Sequence, residues 1–172
     1  MKLMNKKQTG FTLIELIIVI VILGILAVTA APKFLNLQGD ANASTIKGVD
    51  GAINSAMSIV YGKAIIADKQ SSTGESLTIN GDTINIEYGY PEASDDGVAE
   101  MLDIDIVNDF STSTVATTLE YVIRAKGSTA PTVVAASDGD SADTTSDGCY
   151  VSYKEAADAD TPPVVIVNTD KC

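Results

Sequence analysis

The chain has 172 residues, enough for one modest domain plus an appended element, with 11 Lys plus Arg against 23 Asp plus Glu and a formal charge of −12. So acidic a body is a poor generic binder of nucleic acid, whose phosphates need Lys and Arg, and it suits a protein that stays soluble outside the cell. Histidine is absent, which removes imidazole bases and imidazole metal sites and with them most hydrolase and zinc-enzyme readings.

Residues 1–10, MKLMNKKQTG, are polar and basic, and Lys2, Lys6 and Lys7 have no acidic partner there. Without these lysines the chain holds 8 basic residues against 23 acidic ones. Residues 11–31, FTLIELIIVIVILGILAVTAA, are a 21-residue apolar run broken only by Thr12, Glu15, Gly24 and Thr29. As a helix the run would be about 31 Å long, sufficient to cross a bilayer. The lysines on its N-terminal side keep the start cytoplasmic and send the C-terminal body across.

Three readings of this segment compete. An ordinary membrane anchor explains the length but leaves Glu15 without a reason, and an ionised carboxylate inside such a run costs about 2.5–3.5 kcal/mol on insertion scales. A secretory signal cut near Ala30 explains the small residues before Pro32 and still leaves the acid unexplained. In the third reading the basic stretch is clipped ahead of the apolar run. Glu15 then lies one helical turn from a new amine at Phe11 and gains a positive partner.

The string Gly10-Phe11-Thr12-Leu13-Ile14-Glu15-Leu16 resembles the prepilin signature of the type IV pilin family: a short basic leader, Gly before the cut, Phe after it and Glu four residues on. The resemblance covers about the first 35 residues. It implies that a prepilin peptidase cleaves between Gly10 and Phe11 on the cytoplasmic side and N-methylates Phe11. Glu15, with Phe11 and Thr12, would then serve assembly, the carboxylate pairing with the Phe11 amine. The value of such a buried pair is register, because a misplaced subunit leaves both charges unpaired. Gly24 and Pro32 fit the same family as helix-weakening positions, since proline removes a backbone hydrogen bond and glycine lowers helix propensity. Residues 24–32 are expected to be the extensible part of a filament core.

Beyond Pro32, Ile46, Val49, Ile53, Met57, Val60 and Ala64 recur at spacings of three and four, which predicts a helix with one apolar stripe. Gly39, Gly48, Gly51 and Gly62 weaken it, so packing on a sheet must hold it. Its end is expected within residues 68–72. Residues 77–88 then alternate around Asn80-Gly81, the pattern of a hairpin. Gly89-Tyr90-Pro91 and Ser94-Asp95-Asp96-Gly97 read as loop, residues 98–103 as a short helix, and residues 119–125, 150–153 and 164–167 as three further strands. Cys149 and Cys172 are the only cysteines. In an exported chain they read as one disulfide, with two free buried thiols as the alternative.

Candidate chemistry in the body is sparse. Asp138, Asp140 and Asp143 lie in a carboxylate-rich stretch whose sharper reading is a calcium loop. The EF-hand pattern fails, with Ala142 at position five, Asp143 where Gly is required and Cys149 at position twelve. A calcium site of another kind is the alternative to a solvated loop, which is the favoured reading. Asp103, Asp105 and Asp109 lack a partner base or nucleophile and read as a solvated face. No cofactor and no enzymatic activity are expected.

The family resemblance implies an α+β pilin fold: a long, kinked N-terminal α-helix packed on an antiparallel β-sheet, with a C-terminal disulfide-closed segment. Its parts would be a leader over 1–10 removed on maturation, a hydrophobic membrane and filament-core half-helix over 11–34, an amphipathic half-helix over 35–70, and a β-rich head over 71–172. The Gly-Tyr-Pro and Cys-Tyr-Val segments look similar to major pilins of the mannose-sensitive haemagglutinin type. That implies a homopolymer, first held in the bacterial inner membrane and then extracellular. Its expected partners are the prepilin peptidase, an assembly ATPase, an inner-membrane platform, a secretin, and a host or abiotic surface. A secretion pseudopilin and an anchored monomeric acidic binding module are the alternative functions.

Overall fold

The computed structural model describes residues 10–102, 104–116, 118–128 and 148–172. Asp103 and the proposed calcium ligands Asp138, Asp140 and Asp143 lie outside them. The chain divides into two units, Met1–Gln38 and Gly39–Cys172. One helix, α1 (Leu13–Ile66), contributes to both.

In the first unit, Leu13–Ala31 is a 19-residue apolar span with a mean hydropathy of 3.0, none of it buried against the protein. A helix satisfies every interior backbone polar group within itself, the requirement for a lone segment in lipid. Thr29 follows the same logic, its hydroxyl donating back to Leu26 O at 3.0 Å. The helix runs through Gly24 and Pro32 in the single chain.

In the second unit the apolar stripe is realised. Ile46, Val49, Ile53, Val60 and Ala64 are buried, and Met57 is half-buried. Two antiparallel sheets receive the stripe, where a single sheet was expected. Val60 and Ala64 pack on Leu77, Ile84 and Ile86 of a three-stranded sheet formed by β1 (Glu75–Ile79), β2 (Asp82–Glu87) and β3 (Tyr90–Pro91). Ile46, Val49 and Ile53 pack with Tyr121, Ile123, Val151 and Tyr153 of a four-stranded sheet. Its strands, in spatial order, are β4 (Phe110–Val115), β5 (Glu120–Ala125), β6 (Tyr150–Lys154) and β7 (Val164–Asn168).

Backbone reversals explain where the elements differ from expectation. Helix α1 stops at Ile66, before residues 68–72, because Asp68 takes a left-handed conformation (φ 58°). The Lys69 N–H then bonds Ala64 O and the Asp68 N–H bonds Ile65 O, a Schellman closure with aspartate in the usual glycine position. The Asn80-Gly81 turn has positive φ at both residues, as a two-residue hairpin of this twist requires. Tyr88 and Gly89 repeat the device, so Tyr90 and Pro91, read as loop, pair with Glu87 and Ile86 as β3.

The short helix read at 98–103 is instead a π-helical turn at Asp95–Ala99. Ser94 caps it, accepting from the Gly97 N–H at 3.1 Å. Gly97 is needed because an added Cβ would lie 2.1 Å from Glu92 O. Two elements were not anticipated: β4 and α2 (Ile106–Asp109). Asp105, read as part of a solvated face, is exposed but caps α2, accepting from the Asn108 N–H and the Asn108 side-chain amide.

The C-terminal segment is closed by a Cys149–Cys172 disulfide with Cα atoms 4.6 Å apart, which replaces the free-thiol alternative. The bridge ties the residue preceding β6 to the residue four past β7. Beside it, a Cβ added to Gly39 would come within 3.2 Å of the Cys172 carbonyl carbon. The end of the chain thus sits close against α1.

Candidate functional site

The candidate site is the start of α1. Gly10, Phe11 and Thr12 precede the helix and are not helical. Gly10 is exposed with open space where a Cβ would sit, so nothing in the described fold requires glycine there. Phe11 is 90% exposed. The Gly10–Phe11 peptide bond therefore lies on open, non-helical chain three residues before Leu13.

Thr12 and Glu15 close the helix end on each other. The Thr12 N–H and hydroxyl both donate to Glu15 Oε2, at 2.8 and 2.7 Å, and the Glu15 N–H returns a bond to Thr12 Oγ1 at 3.4 Å. This is a capping box: two of the donors that a helix start leaves unpaired are satisfied reciprocally. The arrangement was open to sequence reasoning, since Thr-x-x-Glu before an apolar run is its signature, and it was missed because Glu15 was weighed only against the Phe11 amine. In the full chain Phe11 carries a backbone amide, and the carboxylate bonds Thr12.

Downstream of Glu15, Leu16 to Leu26 present an apolar surface on every side, with Gly24 the one gap in it. Such a surface has two stable surroundings: lipid tails, or other helices of the same kind. Gly24 and Pro32 lie within this unit, and Gly24 meets nothing within 4 Å of an added Cβ. Among the described residues no group of three or more Asp, Glu, Cys or His converges as a metal site.

Residues 5–31 match the model of the prokaryotic N-terminal methylation motif. The chain is 47% identical over 53 residues to the type IV narrow pilus major component PilA5 of Thermus thermophilus, covering 31% of this chain and 46% of that protein. It is 34% identical over 84 residues to the fimbrial protein EcpC of Eikenella corrodens, covering 48% of this chain and 55% of that one. It is also 42% identical over 53 residues to the type II secretion system core protein G of Pseudomonas aeruginosa, covering 31% and 37%. The chain thus spans about half the length of the first of these relatives. No solved structure matches. The N-terminal methylation motif, the likeness to these relatives and the α+β architecture with its C-terminal disulfide fit the type IV pilin family, which the chain resembles over its N-terminal third to half.

Proposed function

We propose that this protein is the major subunit of an extracellular type IV pilus that mediates surface attachment. The observation that carries the reading is the apolar helical segment, unburied by the protein, that begins just after Gly10-Phe11. A prepilin peptidase cuts that bond and methylates Phe11. The new amine competes with Thr12 for the Glu15 carboxylate and supplies it with a charge partner. An assembly ATPase, an inner-membrane platform and a secretin move subunits from the inner membrane to the cell surface. There the helices bundle, acidic heads face outward, and residues 24–32 supply extensibility. A head-to-tail contact that does not close into a ring gives an open helical polymer.

The likeness to the EcpC fimbrial protein, which extends into the head, supports the pilus over other filaments. The further likeness to major pilins of the mannose-sensitive haemagglutinin type belongs to the same proposal. The second reading, a secretion pseudopilin, is supported by the 42% identity to the secretion-system core protein G over 53 residues.

Shearing cells and sequencing the dominant fibre component tests the proposal. A chain starting at N-methylated Phe11 is expected. A mature start after Ala30 or Ala31 would overturn it, and fibres made of another protein would favour the pseudopilin. Glu15→Val is expected to insert and be cut normally yet fail to enter fibres, read as processed chain retained in the membrane fraction.

A further inference from the structure

The head carries two exposed surfaces that complement each other and that neither the fold nor the membrane segment uses. The first is a groove of about 500 Å³ at the tip of the β1–β2 hairpin. Its lining mixes apolar side chains such as Ile79, Met101 and Ile104 with the acids Asp82, Asp96 and Glu100, and it holds no Lys or Arg. The second is the outward face of α1 near its C-terminus, where Ile59 and Ile66 are 59% and 87% exposed with Lys63 exposed between them. Residues 59, 63 and 66 share one helical face. Lys63 makes no ion pair among the described residues. One surface is acidic with apolar patches; the other is apolar with a cation at its centre.

The two cannot satisfy each other within one copy. Ile66 lies at the end of the ladder where Lys69 meets Glu75, whereas the groove is built on the turn at the other end of β1, about 15 Å away at the rise of a strand. None of Ile59, Lys63 and Ile66 lines the groove. We infer that the groove of one head receives the Ile59–Lys63–Ile66 face of α1 from a second copy, making a head-to-tail contact between neighbouring globular heads along the polymer. Such a contact is heterologous, and it propagates without closing. Charge complementarity selects a copy of this chain as the occupant. Heads carrying a large excess of acid repel one another, so the exposed cations belong where copies touch.

This inference rests on the filament reading, and the test separates the two. Full-length chain is expressed as wild type, Lys63→Glu, Glu100→Lys, the double variant and Ile66→Asp, and sheared fibre is measured beside the processed membrane pool and the oxidised Cys149–Cys172 bridge. Each single charge reversal is expected to lower fibre yield by about tenfold or more, the consequence of like charges facing each other across an interface. The double variant restores the yield while pool and bridge stay constant. Ile66→Asp, at a position the head does not bury, lowers the yield in the same way. Unchanged fibres in all the single variants would overturn the contact and leave the groove to a cationic partner other than this chain. Loss in the single variants without rescue in the double would also overturn it. Absence of fibres from the wild type would instead overturn the filament reading itself.

Discussion

Glu120 opens β5 with only 2% of its surface exposed, and its Oε2 has no hydrogen-bond partner. Burial pushes its carboxyl above the ordinary glutamate value, against the opposing pull of Lys154, its cross-strand neighbour. Glu155 shifts the same way, by burial first and then by Glu87 and Glu92, while the Ala93 N–H bond opposes. A raised acid binds its proton more tightly in the folded state. The stability it contributes is therefore complete below the unfolded-state value of about 4.3 and is lost as pH rises through the folded one. Glu120→Gln is accordingly expected to raise the melting temperature at pH 7 and to leave it nearly unchanged at pH 4, which calorimetry at the two pH values would show. Gly89 presents the opposite case, a residue whose lack of a side chain is required. Its φ is +81° and an added Cβ would lie 2.9 Å from Gln70 Cα. Gly89→Ala should cost more than about 1 kcal/mol, since the backbone and the space both forbid the methyl. Chemical denaturation with an unchanged midpoint would contradict this.

At the level of elements, legibility followed burial. The 46–64 stripe could be read because α1 buries one narrow face, the strands β5 and β6 because their apolar residues enter the core, and β7 because its run of valines and isoleucine packs partly buried against it. Strand β4 hid because Ser111, Thr112, Ser113 and Thr114 sit on a sheet edge, where polar side chains guard against further pairing and resemble loop. The π-helical turn and β3 hid because they depend on Glu92 passing close to Gly97 and on the reversal at Tyr88-Gly89, which are tertiary and conformational facts with little local signal. At the candidate site, the Gly10-Phe11 and Glu15 pattern is legible because it is a linear motif, whereas the capping box depends on which of two partners the acid takes. Gly51 shows propensity without packing: it is exposed in mid-helix, and an added Cβ meets nothing within 4 Å. Gly51→Ala is expected to stabilise the head by about 1 kcal/mol, read as an upward shift of the unfolding midpoint.

For the whole molecule, the disulfide and the exposed apolar segment set the terms. Cys149–Cys172 spans 23 residues, a loop whose closure contributes roughly 3 kcal/mol on the chain-entropy model. Cys149→Ser should therefore lower the melting temperature of the head and loosen β7 first, visible as faster amide exchange at 164–168 than at 120–125. Equal exchange in the two strands would show that the β6–β7 ladder holds without the bridge.

The nakedness of Leu13–Ala31 has a thermodynamic corollary. Because lipid tails are about as apolar as leucine, moving this segment from bilayer to helical bundle exchanges one oil for another at little net transfer free energy. On the proposed function, the apolar segment itself then contributes little to the balance between membrane and fibre, which the head contacts and Glu15 must set. If the chain serves as proposed, dismantling a fibre into the membrane would require no unfolding of the head.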